Sequence, residues 1–167
     1  MQGLFSKTLR IIIGIFFACS FTLFSGCSSV SSAVQAVLPD HTLLALFSVP
    51  DKLNVNQQGQ SSPLFVYIFQ LKTIDTFQQA TFFQLYNNPK KSLGSSAADM
   101  HKIMLVPGKK AVHINLPLKK GVTAIGLVAN YSDIVWHKWR ILIPANCDWG
   151  AVRVHVGFDN KGMHIVQ

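Results

Sequence analysis

Between His41 and Val166 the sequence is cut by turn residues into short apolar stretches, and this rhythm limits the fold more than any other feature. His41 to Val49 is rich in Leu, Phe and Val and stops at Pro50-Asp51. Leu64 to Leu71 follows Pro63, a first-strand position where proline is tolerated. Met100 to Val106 stops at Pro107-Gly108, a turn pair. Lys109 to Leu116 sets Ala111, His113 and Asn115 against Val112, Ile114 and Leu116, the two-residue period of a strand. Val122 to Tyr131 is apolar throughout and predicts a central strand, with Gly126 where a backbone or a bulky ring comes close. Val135 to Pro144 alternates Trp136, Lys138, Arg140 and Leu142 against His137, Trp139, Ile141 and Ile143. Ala151 to Phe158 places Val152, Val154, Val156 and Phe158 inward. Asp159-Asn160-Lys161-Gly162 then turns the chain into a last strand, Met163 to Val166. Some eight strands spaced about 8 to 12 residues apart predict a mainly β fold, an antiparallel β-sandwich. Parallel βαβ units are excluded, because helices do not alternate with the strands.

One stretch changes period. Phe77, Ala80, Phe83 and then Leu85 or Tyr86 recur at three- and four-residue spacing, which predicts a helix over Thr73 to Tyr86 capped by Asp75 or Thr76. A single helical insert with an aromatic face is suited to covering an edge or face of the sheet. Asn87 to Lys91 and Leu93 to Ser96 read as loop.

The amino-terminal segment is of another kind. Lys7 and Arg10 precede an apolar run, Ile11 to Phe24, that ends in Ser25-Gly26-Cys27. A charged start, a short apolar run and small residues describe a secretory signal peptide. The run is shorter than the roughly 20 residues needed to cross a bilayer core. Leu23-Phe24-Ser25-Gly26-Cys27 resembles a bacterial lipobox. In that reading the Cys27 sulfur takes a lipid, the Gly26–Cys27 bond is cut, and Cys27 becomes an acylated first residue. An ordinary signal peptide or an uncleaved anchor are the alternatives. The segment order is thus a signal peptide over 1–26, a lipidated terminus and Ser/Ala-rich tether over 27–40, and the β-sandwich domain over 41–167.

Composition then removes classes of function. The chain is 13% charged with seven Asp and no Glu, so a paired-carboxylate site is improbable. Its net charge of +8 falls to +6 once Lys7 and Arg10 leave with the signal. The remaining lysines are scattered over turns and strand edges, as in Lys90-Lys91, Lys109-Lys110 and Lys119-Lys120, and no run forms a nucleic-acid patch. The six histidines, His41, His101, His113, His137, His155 and His164, make no metal-binding pair by spacing, although His113 and His155 could meet across a sheet. Of the three cysteines only Cys147 stays free in the mature domain, so no internal disulfide is expected there and the thiol reads as a small buried apolar residue. Trp136, Trp139 and Trp149 read as core and rim aromatics. No cofactor other than the covalent lipid on Cys27, no metal, no small-molecule substrate and no enzymatic activity are expected. The polar, uncharged stretch Asn54, Val55, Asn56, Gln57, Gln58, Gly59, Gln60, Ser61 and Ser62 is a long loop suited to adaptable hydrogen bonding with a protein partner, or to mere connection.

Taken together, a set of motifs resembles the outer-membrane lipoprotein of type VI secretion systems, the TssJ (SciN, VasD) family. The set comprises Cys27; Leu53-Asn54 through Ser62-Pro63; Tyr67 to Lys72; Phe77, Ala80, Phe82-Phe83 and Leu85-Tyr86; Leu93-Gly94; Leu105 to Gly108; Ile125 to Ala129; Tyr131 to Asp133; and Trp139-Arg140. The resemblance implies a transthyretin-like sandwich with an added helical segment, held by its lipid on the periplasmic face of the outer membrane. It implies binding to the periplasmic C-terminal domain of TssM, the inner-membrane component, through the loop that corresponds to Asn54–Ser62. Ser28 after the acylated cysteine fits outer-membrane sorting. The rival reading is a transthyretin-like carrier or pilot lipoprotein for a small ligand or another secretion or pilus subunit; a pocket of several hundred Å³ lined by Trp136 or Trp139 would favour it.

Overall fold

A computed structural model of the chain describes residues 41–145 and 150–166. The expected signal peptide, Cys27, the expected tether, Cys147 and Trp149 lie outside the described residues.

Eight strands form two four-stranded sheets. They are β1 (His41–Ser48), β2 (Leu64–Leu71), β3 (Ala97–Leu105), β4 (Ala111–Pro117), β5 (Ala124–Ala129), β6 (Arg140–Pro144), β7 (Gly150–Asp159) and β8 (Gly162–Ile165). One sheet runs β4-β1-β7-β8, the other β3-β2-β5-β6. The mainly β sandwich with a helical insertion is the expected fold. All pairs are antiparallel except β1 with β7, which run parallel from His41↔Gly150 to Ser48↔Gly157. The sequence carries no sign of that pair, because its two members are far apart in the chain and no helix joins them.

The two inner faces meet in one apolar layer. Leu43, Phe47, Val66, Ile68, Ile125, Leu127, Val156 and Phe158 are buried there. Gln70 is fully buried but satisfied: its Nε2 donates to the Pro117 carbonyl (3.0 Å) and its Oε1 accepts from the Lys119 amide (2.7 Å). This ties β2 to the β4–β5 turn across the sandwich, and a buried amide with partners at both ends costs little.

The single expected helix is three short ones: α1 (Asp75–Gln79), α2 (Phe82–Asn87) and α3 (Pro89–Leu93), followed by a 3₁₀ turn, Gly94–Ser96. Ala80 is extended (φ −67°, ψ 141°), so the helix breaks there. The break is stabilised on both sides. The Arg140 Nη1 donates to the Phe77 and Ala80 carbonyls (2.8 and 3.0 Å), a cation at a helix C-terminus. Thr81 opens α2 with a capping box: its hydroxyl accepts from the Gln84 amide, and the Gln84 side chain accepts from the Thr81 amide. The residue capping α1 is Ile74, without a side-chain bond, rather than Asp75 or Thr76. Pro89 begins α3 at a position that needs no amide donor, so the Asn-Pro-Lys-Lys text is helical rather than loop.

These helices cover the outer face of β2 and β5. Phe77, Phe82, Leu85 and Leu93 pack with Tyr67, Phe69, Ala124 and Val128 in a second apolar layer. Phe83, expected inward, is exposed, because the break at Ala80 resets the helix phase and puts Phe82 and Leu85 inward instead. Gly126 lies under the Phe77 ring: a Cβ at that position would meet Cζ at 2.6 Å. The bulky-ring approach expected at Gly126 is therefore met.

Candidate functional site

Strand directions gather four connections at one end of the sandwich. The β1–β2 loop, the β3–β4 turn, the β5–β6 connection and the β7–β8 turn all lie beyond Ser48, Leu64, Leu105, Ala129 and Asp159. The chain comes into β1 at His41, at the opposite end.

The loop Asn54–Ser62 folds on its own side chains. The Asn56 Oδ1 accepts from the Gln58 and Gln60 amides (3.0 and 2.9 Å), and its Nδ2 donates to Gln60 Oε1 (3.2 Å). The Asn56 amide donates to the Gln60 carbonyl, and the Gly59 amide to the Asn56 carbonyl. Gly59 has φ +77°, which its missing side chain permits. At the loop base the Ser62 amide donates to the Leu53 carbonyl and Ser61 Oγ to the Asp51 carbonyl. Asn54 is left-handed (φ +47°), a conformation asparagine tolerates. Its Nδ2 donates to the Pro63 carbonyl and its Oδ1 accepts from the Ser132 amide at 2.7 Å. The loop is thus a compact knot. Gln57, Gln58, Gly59, Gln60 and Ser61 face solvent, while Asn54, Asn56 and Ser62 are partly covered. Val55 is the apolar exception, 38% exposed.

The Asn54–Ser132 bond joins this loop to the β5–β6 connection, which the sequence pattern misplaced. The expected strand Val135–Pro144 begins only at Arg140; residues 134–136 form a turn, and Lys138 makes an isolated bridge to Gly162. The Asp133 Oδ1 accepts from the Val135 amide at 3.0 Å and lies 3.4 Å from that of Trp136. His137 Nδ1 donates to the Asp133 carbonyl (2.6 Å), and its ring stacks on Tyr131 at 4.6 Å between centroids. At the base, the Ala129 amide donates to the Trp139 carbonyl (2.8 Å). Lys138 bonds both Lys161 and Met163, which fastens the connection to the β7–β8 turn. Val135 and Trp136 are left 81% and 79% exposed at the tip. Trp136 is therefore not a core or rim aromatic, whereas Trp139 packs edge-on against Phe82 as expected. The turn that starts at Asp133 extends through Trp136: its carboxylate acts on the amides two and three residues on, so no strand forms at Val135.

Tyr131 is buried with no hydrogen-bond partner for its hydroxyl among the described residues, and burial first, then Asp159, pushes its ionisation well above the ordinary tyrosine range. The Arg140 guanidinium is held below its ordinary value by desolvation, and it lies 4.9 Å from the centroid of the Trp139 ring.

The histidines do not assemble. His113 and His155 both lie level with Leu46, one on each side of it, so β1 separates them. His155 Nε2 shares a 2.6 Å hydrogen bond with Ser48 Oγ, while His164 lies 3.5 Å from Asp159. No carboxylate among the described residues bonds the other nitrogen of His155, so the Ser48–His155 pair lacks the orienting group of a hydrolytic triad. No three His, Cys, Asp or Glu among the described residues are placed to hold a metal ion. Two open depressions, about 330 Å³ beside Phe77 and Arg140 and about 440 Å³ beside Ser48 and His155, include neither Trp136 nor Trp139. The pocket that would have favoured a carrier is not among them.

The fold and this end define a two-sheet sandwich whose loops, not a cavity, carry its exposed chemistry. Residues 42–161 match the T6SS-SciN family, described as type VI secretion lipoprotein, VasD, EvfM, TssJ. The chain belongs to this family of secretion-system lipoproteins, which is not a family of enzymes. No curated protein is matched by the sequence. Among solved structures the chain is similar to the T6SS lipoprotein TssJ1 from Pseudomonas aeruginosa, at 23% identity and TM-score 0.71, over 77% of this chain and 96% of that one. It is similar to Serratia marcescens Lip, described as a membrane bound component of the type VI secretion system, at 22% identity and TM-score 0.70, over 77% and 99%. It is also similar to a chain of the structure described as the T6SS protein TssM C-terminal domain from EAEC, at 20% identity and TM-score 0.59, over 75% and 98%. At these identities the likeness shows the fold.

Proposed function

We propose that this lipoprotein is acylated on Cys27 after cleavage at Gly26, sits on the periplasmic face of the outer membrane, and binds the periplasmic C-terminal domain of TssM through Asn54–Ser62. It thereby anchors the trans-envelope complex of the secretion system at that membrane. Family membership and the lipobox-like run before Cys27 support the anchor. The likeness to a chain in a structure of the TssM C-terminal domain supports the partner.

The mechanism is physical rather than chemical. Each buried CH₂ of an acyl chain is worth about 0.8 kcal/mol, and one chain binds a bilayer only marginally, so several chains on Cys27 make the attachment stable. A tether of 14 residues, 27–40, reaches at most about 46 Å. The domain then offers a rigid end, and TssM is gathered at the membrane. The observation that carries the loop assignment is its self-bonded build: Asn56 spends its side chain on the Gln58 and Gln60 backbone amides and the Gln60 side chain, which leaves the side-chain amides of Gln57 and Gln58 presented to a partner at little ordering cost.

The test replaces residues 56–60 by Gly-Ser repeats of equal length and measures affinity for the TssM periplasmic domain of the same system. At least tenfold weaker binding with an unchanged melting temperature is expected. Unchanged affinity rejects the loop as the contact. In parallel, Cys27→Ser is expected to move the protein from the outer-membrane to the soluble periplasmic fraction and abolish secretion while binding persists. Normal membrane retention of that variant rejects the anchor.

A further inference from the structure

We infer that the Val135–Trp136 tip is a second contact for the same protein partner, inserting its indole into an apolar hole with an acidic rim. The inference rests on the partner role of Asn54–Ser62 and extends that surface to the β5–β6 connection.

Four observations carry it. Trp136 is the largest exposed apolar side chain among the described residues, 79% exposed beside an 81% exposed Val135. Large aromatics left in water at a surface point to a contact, and Trp dominates the energetics of protein interfaces. The tip is also held in shape before any partner arrives. Asp133 bonds the Val135 amide, His137 bonds the Asp133 carbonyl and stacks on Tyr131, and Lys138 is fastened to the β7–β8 turn. A preorganised aromatic loses little freedom on binding.

The Asn54–Ser132 hydrogen bond, at 2.7 Å, makes the tip's connection and the polar loop neighbours on one end. Finally, the charges of that end are unbalanced. Lys52, Lys109, Lys110, Lys138 and Lys161 lie on its four connections, and none makes an ion pair among the described residues. Of its three carboxylates, Asp133 bonds backbone amides and Asp159 the Lys161 amide and His164, while Asp51 is exposed, so five lysines face three aspartates. Free lysines around an exposed indole match an acidic rim around an apolar hole.

A bilayer would also accept Trp with Lys. A protein is favoured because the tip's neighbour on that end, through the Asn54–Ser132 bond, is the polar loop Asn54–Ser62 rather than a further apolar or basic patch.

The test measures affinity of the full chain in detergent for the TssM periplasmic domain, for wild type, Trp136→Ala, Val135→Ser and the 56–60 replacement. Trp136→Ala is expected to weaken binding about tenfold or more and Val135→Ser a few fold, with unchanged melting temperatures. Rescue of binding by Trp136→Phe supports insertion. If the loop replacement weakens binding and Trp136→Ala does not, this inference is overturned and the loop reading stands. If Trp136→Ala weakens binding and the loop replacement does not, the tip stands and the loop falls. If wild type does not bind at all, both fail. Cosedimentation of the Cys27→Ser chain with phosphatidylethanolamine/phosphatidylglycerol vesicles, lost on Trp136→Ala while TssM affinity is unchanged, overturns it in favour of a lipid contact.

Discussion

The two sheets are built from the same kind of strand and live in different surroundings. The β3-β2-β5-β6 sheet is covered on both faces at its centre, by the other sheet inside and by α1–α3 outside. The β4-β1-β7-β8 sheet is covered on one face, and Ala111, His113 and Asn115 stand in water on the other. Their sequences show it: β5 reads Ala-Ile-Gly-Leu-Val-Ala, buried at every position, while β4 alternates exposed with half-buried. A strand buried twice has no polar face to keep. The lesson concerns function too. The doubly covered sheet holds the root of the β5–β6 connection stiff, and that connection carries the Trp136 tip.

Substitutions on the outer faces break or sharpen this contrast. Phe77→Ala empties the centre of the outer layer and is expected to cost about 3–5 kcal/mol in denaturant unfolding. Arg140→Ala leaves the Phe77 and Ala80 carbonyls without their charged donor, at a cost of about 1.5–3 kcal/mol by the same measurement. Gly126→Ala drives a methyl into the Phe77 ring and is expected to cost about 1–3 kcal/mol; a cost near zero shows that the helical layer is loose and the contrast overstated.

Tyr131→Phe removes a buried hydroxyl that has no partner among the described residues, so stability at pH 7 should change by less than about 0.5 kcal/mol. Its pH dependence is the sharper measure. The phenol's ionisation is raised in the folded state, so its contribution is intact below the unfolded value, near 10, and is lost as pH rises above it. Wild type should therefore lose stability from about pH 10 upward, and Tyr131→Phe should lose less, as urea midpoints at pH 9 and 11 would register. At the bottom of the scale, His113→Ala on the bare face of β4 should shift stability by less than about 0.5 kcal/mol.

Most strands were legible because apolar period and turn residues act locally. His41 to Val49, Leu64 to Leu71 and the Asp159–Gly162 turn were read within a residue or so. Gly126 announced a close neighbour by lacking a side chain, and the structure shows that neighbour to be the Phe77 ring. The helical insert was legible as a period and not as an architecture. The break at Ala80 is held by the local Thr81–Gln84 capping box, which the period reading passed over, and by Arg140, about sixty residues away, whose donation to two carbonyls no local pattern records. Val135–Trp136 was misread as strand because Trp136 fits an alternating pattern, and the Asp133 turn overrides that pattern with side-chain hydrogen bonds. The loop Asn54–Ser62 was recognised as polar text, yet its knotted form comes from Asn56 bonding across four residues.

The sequence alone determined most of the strand segments, that two apolar faces must meet, and that carboxylate chemistry is poorly supplied. Those are properties of local period and composition. Tertiary structure alone decided the parallel pairing of β1 with β7, the helical layer over β2 and β5, and the meeting of Asn54 with Ser132. Each joins residues distant in the chain, and such contacts are chosen by packing and by the need to satisfy buried polar groups, neither of which a local pattern expresses.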